Sequence, residues 1–244
     1  MRVLLHRSTP LKAFSLAELL VCLGIIAILL FLSIAGLAYV RKASAVGICT
    51  SNLRQIGVGF DLYANDHNGG YPPHWGIGFN GENLAWYGHI APYITGWRGE
   101  SPGYMSKIFY CPANPRPFNA RQTYISSADN LDQSYGYNYQ YLSSNPQWPS
   151  RRKINFQNMG EIVLAADIPT LGDTNDIVPF PEELESIRLY PAMAPDRVNG
   201  LKAISQRHSG GCHILFLDGS VQWRNSRDFL GKDFKKRNWV PVEM

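Results

Sequence analysis

The arrangement of apolar and polar positions divides this chain early. From Leu19 to Val40, 22 consecutive residues carry no charge, and most of them are Leu, Ile, Ala or Val. About 20 such residues in a helix cross a bilayer core of about 30 Å. After Arg41 and Lys42 the pattern becomes amphipathic. Cys49, Leu53, Ile56, Phe60 and Tyr63 recur at spacings of four and three, the single stripe of a helix with one buried face. Asn68-Gly69-Gly70 and Pro72-Pro73 then stop it. A helix from Phe14 to about Asp66 would be a rod of roughly 80 Å. Its first half suits lipid, and its second half must bury a stripe against its own chain. Glycines at 24, 36, 47, 57 and 59 weaken it locally, with kinks expected near Gly24 or Gly36.

Beyond the helix, the pattern shortens to strands. Ile214–Leu217 and Ser220–Trp223 flank Asp218-Gly219, a pair suited to a two-residue type I′ turn with both residues at positive φ. A hairpin over 213–224 follows. On strand alternation His213 shares a face with Leu215 and Leu217, opposite Ile214. His208 lies just before Gly210-Gly211, where a hydrogen bond from it could tie down the loop entering the hairpin. The expected fold is therefore α+β: a long N-terminal helix packed on a small antiparallel sheet.

Composition changes this picture little. The 244 residues include 22 Gly and 16 Pro, with 12% aromatic and 17% charged residues, which suits a turn-rich, strand-leaning domain. The net charge of +4 is too small and too dispersed for a nucleic-acid footprint. Arg2, Arg7 and Lys12 precede the apolar run and two basic residues follow it, so the charge bias favours a cytoplasmic N-terminus by three to two. An ordinary secretory signal has a shorter apolar core ending at a cleavage site, whereas this run continues into further helix.

Glu18 stands at the start of the apolar run. A carboxylate there costs a few kcal/mol, so it either reaches the nearby interface or has a partner. Lys12-Ala13-Phe14-Ser15-Leu16-Ala17-Glu18 resembles the class III signal of type IV prepilins and pseudopilins. In that family a basic leader and a small residue precede Phe, with Glu at the fifth mature position; Ala13 stands where Gly is usual. The resemblance implies cleavage between Ala13 and Phe14 by a prepilin peptidase and methylation of the new Phe14 amine. It also implies pairing of Glu18 with the amine of a neighbouring subunit, two opposite charges in low dielectric that favour one register. The implied parts are a leader (1–13), a membrane-spanning half-helix (14–40), a distal half (41–66) and an exported domain (67–244).

Further elements resemble a group of bacterial pilin-like proteins abundant in planctomycete-type and verrucomicrobial genomes. They are Cys49–Gly57, Asn68–Pro73, Tyr110-Cys111-Pro112, Ser134-Tyr135-Gly136-Tyr137-Asn138, and His208 with Asp218-Gly219 after nine intervening residues. Cys49 and Cys111 occupy matching elements of that family, which makes them the implied disulfide pair. Cys212 is the alternative partner for either, or a buried thiol, and Cys22 in the apolar run reads as packing.

Candidate chemistry is sparse. With His213 as the one further ligand near His208, no metal site is expected, since sites normally need more donors. Asp167, Asp173 and Asp176 lack EF-hand spacing and read as a solvated acidic loop. Trp75, Trp86, Tyr87 and Trp97 could stack on sugars or form a core under loops. No nucleophile elbow, P-loop or His-Glu-x-x-His pattern occurs. The expectation is a non-catalytic filament subunit or initiator of a type II secretion or type IV pilus-like system, needing no cofactor. Its partners would be prepilin peptidase, other pilin-like subunits and the inner membrane. The rivals are a membrane-tethered binding protein, with glycans as one ligand class, and a tethered hydrolase using His208 and Asp218.

Overall fold

The computed structural model describes residues 15–73, 75–77, 81, 83–97, 106–115, 134–138, 142, 156–169, 174–179 and 203–231. The chain divides into two compact units, Met1–Ser44 and Ala45–Met244. Helix α1 (Leu16–Asp66) runs through the boundary as one assigned element of 51 residues, including the positions of its glycines. It ends where Asn68 and Gly69 take positive φ and Gly69 N–H donates to Ala64 C=O, a left-handed termination.

In the second unit, the expected stripe of α1 is the centre of the core. Cys49, Leu53, Ile56, Phe60 and Tyr63 are all buried, while Ser51, Arg54 and Gln55 face outward. Phe60 lies among Trp86, Tyr137 and Tyr71, with ring centroids 5.4, 4.8 and 6.0 Å away. Full burial of one such ring stabilises by about 2–3 kcal/mol.

The remaining elements are short. A two-stranded antiparallel ribbon, β1 (Trp75–Ile77) and β2 (Asn83–Ala85), leads into α2 (Trp86–Thr95). The main sheet has four antiparallel strands in the order β3–β4–β7–β8: β3 (Tyr135–Tyr137), β4 (Val163–Asp167), β7 (Gly211–Phe216) and β8 (Val221–Asn225). A second ribbon pairs β5 (Ile177–Pro179) with β6 (Ala203–Ser205), and α3 (Ser226–Gly231) follows β8.

The main sheet is covered on both faces, which explains why β4 and β7 read as continuous apolar runs. Tyr135, Tyr137, Ala165, Leu215 and Leu217 join the core built on α1. Cys212, Ile214 and Phe216 point the other way, into a smaller core with Ile204, Phe229 and Leu230. His213 therefore lies on the α1 side of β7, with Leu215 and Leu217. The architecture is a long apolar N-terminal helix with small antiparallel sheets, an α+β mix.

Two links fasten the start of the buried half of α1. Cys49 and Cys111 form a disulfide, leaving Cys22 and Cys212 as free thiols. Asn52 Nδ2 donates to Tyr110 C=O at 2.9 Å, beside the bridge.

Candidate functional site

The first candidate is the proximal part of α1. From Leu16 to Val40 every described side chain is exposed, and large apolar residues occur on all sides, among them Leu16 (78% exposed) and Phe31 (76%). This helix is long and apolar enough to cross a membrane. Its start carries a local device that the sequence held in plain view as Ser-x-x-Glu. Ser15 Oγ accepts from Glu18 N–H at 3.2 Å, and Glu18 Oε2 accepts from Ser15 N–H and Oγ–H, each at 2.9 Å. This is a reciprocal capping box, which satisfies orphan donors of the first turn. Glu18 is thus held by its own chain. Ala13 and Phe14, the expected cleavage site, lie outside the described residues.

The second candidate is a buried polar cluster on the α1 face of the main sheet. Asp167 ends β4, opposite Tyr135 of β3, and is fully buried. Its Oδ2 accepts from the backbone N–H of His213 at 2.7 Å. The same oxygen lies 3.3 Å from His213 Nδ1 and 3.4 Å from His208 Nε2. The two imidazoles cross edge to face with centroids 4.4 Å apart. His208 Nε2 also lies 3.3 Å from Cys111 Sγ, so the cluster touches the disulfide.

Electrostatics at this cluster oppose one another. Burial alone would raise the Asp167 carboxyl, but the His213 hydrogen bond and the charges of His208 and Arg207 outweigh it and hold it below the usual range. Burial pushes His208 down, only partly offset by the Asp167 charge. Burial, and then the same carboxylate, pushes Tyr135 well up. Next to the cluster, Arg207 and Asp176 form a buried ion pair at 3.0 Å, with Ser205 Oγ donating to Asp176.

One turn aims His208. His208 and Gly211 bridge each other across Ser209-Gly210, both at positive φ (56° and 82°). Positive φ at both central residues is what a type I′ turn demands. Gly211 has no room for a side chain, since a Cβ there would meet Arg224 O at 2.4 Å and the Trp223 ring at 2.5 Å. That ring donates from Nε1 to His208 C=O at 2.9 Å and fixes the turn.

These facts correct several expectations. His208 is not simply a loop anchor; its ring is in the Asp167 cluster. The β7–β8 connection is not a type I′ turn at Asp218-Gly219, because only Gly219 has positive φ (82°). Gly219 N–H donates to Phe216 C=O and Phe216 N–H to Ser220 C=O, a wider turn ending in a left-handed glycine. Asp218 Oδ1 instead accepts from Ser220 N–H at 2.8 Å, a local contact that competes with the two-residue turn. His208 and Asp218 thus engage separate partners. Asp167 and Asp176 are buried rather than part of a solvated loop; Asp173 lies outside the described residues. Trp86 and Tyr87 are fully buried in the core and offer no stacking surface, while Trp97 packs against it partly buried.

Asp167 is the site residue that sequence reasoning missed. It stands 46 residues from His213 in sequence, and only the β4–β7 pairing brings them together. No family model, no curated protein and no solved structure matches this chain.

Proposed function

We propose that this chain is a pilin-like subunit of a type II secretion or type IV pilus-like filament, processed by prepilin peptidase. The observation that carries this reading is the continuity of α1. A single helix of 51 residues is apolar and exposed over its first half, and is the centre of a small α+β core over its second. Such a helix can wait in the inner membrane and later pack against copies of itself. The basic residues before it favour a cytoplasmic N-terminus, with the domain on the far side. The Cys49–Cys111 disulfide fits that oxidising side.

The capping box refines the role of Glu18. Before assembly its carboxylate is satisfied by Ser15; on assembly the amine of a neighbouring Phe14 would compete for it. This exchange avoids an unpaired carboxylate in lipid at either stage. The burial of Trp86 and Tyr87 weakens the rival glycan-binding reading. N-terminal mass spectrometry of the native protein tests the proposal. A methylated Phe14 start is expected, and an intact Met1 start in cells with active peptidase contradicts it.

A further inference from the structure

We propose that Asp167, His208 and His213 form a buried binding site for a divalent ion of the zinc type. The sequence supplied two histidines; folding adds a carboxylate from a different strand. Their ligand atoms, Asp167 Oδ2, His208 Nε2 and His213 Nδ1, all lie within 4.8 Å of one another. The site is independent of whether the chain enters a filament.

The distances fit a metal site as well as a hydrogen-bonded network. Charge-assisted N–H···O bonds are typically about 2.7–2.9 Å. The two contacts from Asp167 Oδ2 to the imidazole nitrogens are 3.3 and 3.4 Å. A tetrahedral ion bound at about 2.0–2.1 Å spaces its ligands about 3.3–3.4 Å apart, edge to edge. The backbone N–H of His213, 2.7 Å from the same oxygen, would orient the carboxylate as an outer partner does at metal sites.

A second, independent observation is the other carboxylate oxygen. Asp167 is fully buried, and its Oδ1 has no hydrogen-bond partner among the described residues. Arg207, the nearby cation, pairs through Nη2 with Asp176, and its charge also reaches Asp167. A fully buried carboxylate oxygen without a partner favours a cation beside it.

The donor set selects the metal. Two imidazoles and one carboxylate suit Zn²⁺, whereas Ca²⁺ would need six or more oxygens. Cys111 Sγ is close but bonded to Cys49, so it supplies no thiolate. With three protein ligands, the fourth position falls to water or a small ligand. Bound there, the ion would tie the end of β4 to the turn before β7 and to β7 itself. Because the ligands are buried, it would be taken up as the domain folds.

The test uses the full-length chain in detergent micelles, refolded with Co²⁺ as a spectroscopic probe and then with Zn²⁺. One Co²⁺ per chain is expected, with the intense visible bands of a tetrahedral nitrogen–oxygen site, displaced by Zn²⁺. His213→Gln and Asp167→Asn should each weaken Zn²⁺ binding by more than about 100-fold, beyond what loss of an outer partner does. His67→Gln, exposed just past the end of α1, should leave it unchanged. Failure of the wild-type chain to take up stoichiometric metal would overturn the site without depending on any variant's folding. Thiolate charge-transfer bands, or equal affinity in His213→Gln and wild type, would overturn it as well.

Discussion

The two halves of α1 share one backbone and little else. Residues 16–40 are apolar on every side and exposed; residues 49–63 are apolar on one stripe, and that stripe is fully covered. A stripe can be satisfied by one sheet of the same chain. A helix apolar all round cannot, and its partner must be lipid or another chain. On the proposed reading the difference is a division of labour: the distal half holds the domain together, and the proximal half connects it to lipid or to other copies.

The contrast breaks most visibly on truncating one aromatic ring in each half. Phe60→Ala should cost about 3–5 kcal/mol of domain stability, because it empties a site lined by Trp86, Tyr137 and Tyr71. Phe31→Ala should leave the thermal melt of the domain unchanged. A comparable loss in both would erase the distinction.

Acid should act on the domain through a buried histidine. Burial, reinforced by the nearby His67 charge, pushes His89 down to about 4, although backbone contacts at Leu84 and Gly76 partly oppose this. Between pH 6.5 and 4 the unfolded chain then binds a proton that the folded chain refuses, so stability falls as pH falls. The loss reaches about 3 kcal/mol and levels off below pH 4. His208, also held down by burial, acts in the same direction. Melts of wild type and His89→Gln across this range check it: the variant should show the shallower slope.

The β7–β8 turn sharpens the comparison at a smaller scale. Gly219→Val places a β-branched residue at a φ of 82° and should cost about 1–3 kcal/mol. Asp218→Asn keeps an oxygen to accept from Ser220 N–H and should change stability by less than about 0.5 kcal/mol. Loss of filament or secretion function in Asp218→Asn, with the melt intact, would refute a purely structural Asp218.

The smallest effect on the domain is expected from Glu18→Ala. It removes one side of the capping box, at the far end of the helix from the core. Domain melts should not move, whereas incorporation into filaments should drop. Unchanged incorporation would remove Glu18 from the assembly step.

What the sequence disclosed follows from how local each feature is. The stripe Cys49–Tyr63 was legible because helical periodicity needs only neighbours, and the helix end because Gly and Pro act on their own backbone. The capping box went unread, although its Ser15-x-x-Glu18 pattern is equally local. The 213–224 hairpin was found, but its turn was mistyped. The Asp218 side chain and a Gly219 of positive φ select a wider turn, and the true two-residue turn is Ser209-Gly210. The Asp167 cluster was hidden for a different reason. An aspartate in an acidic stretch looks solvated until strand pairing buries it against His213, and no local pattern encodes that pairing.

On the proposed reading, the proximal half of α1 meets other copies of this chain while the distal half meets its own domain. Photo-crosslinking residues placed at Leu30 and at Ile56, in cells that carry the assembly machinery, test it directly. Adducts between copies are expected from position 30, and adducts within one chain from position 56. Adducts between copies from neither position, or equally from both, would contradict the claim.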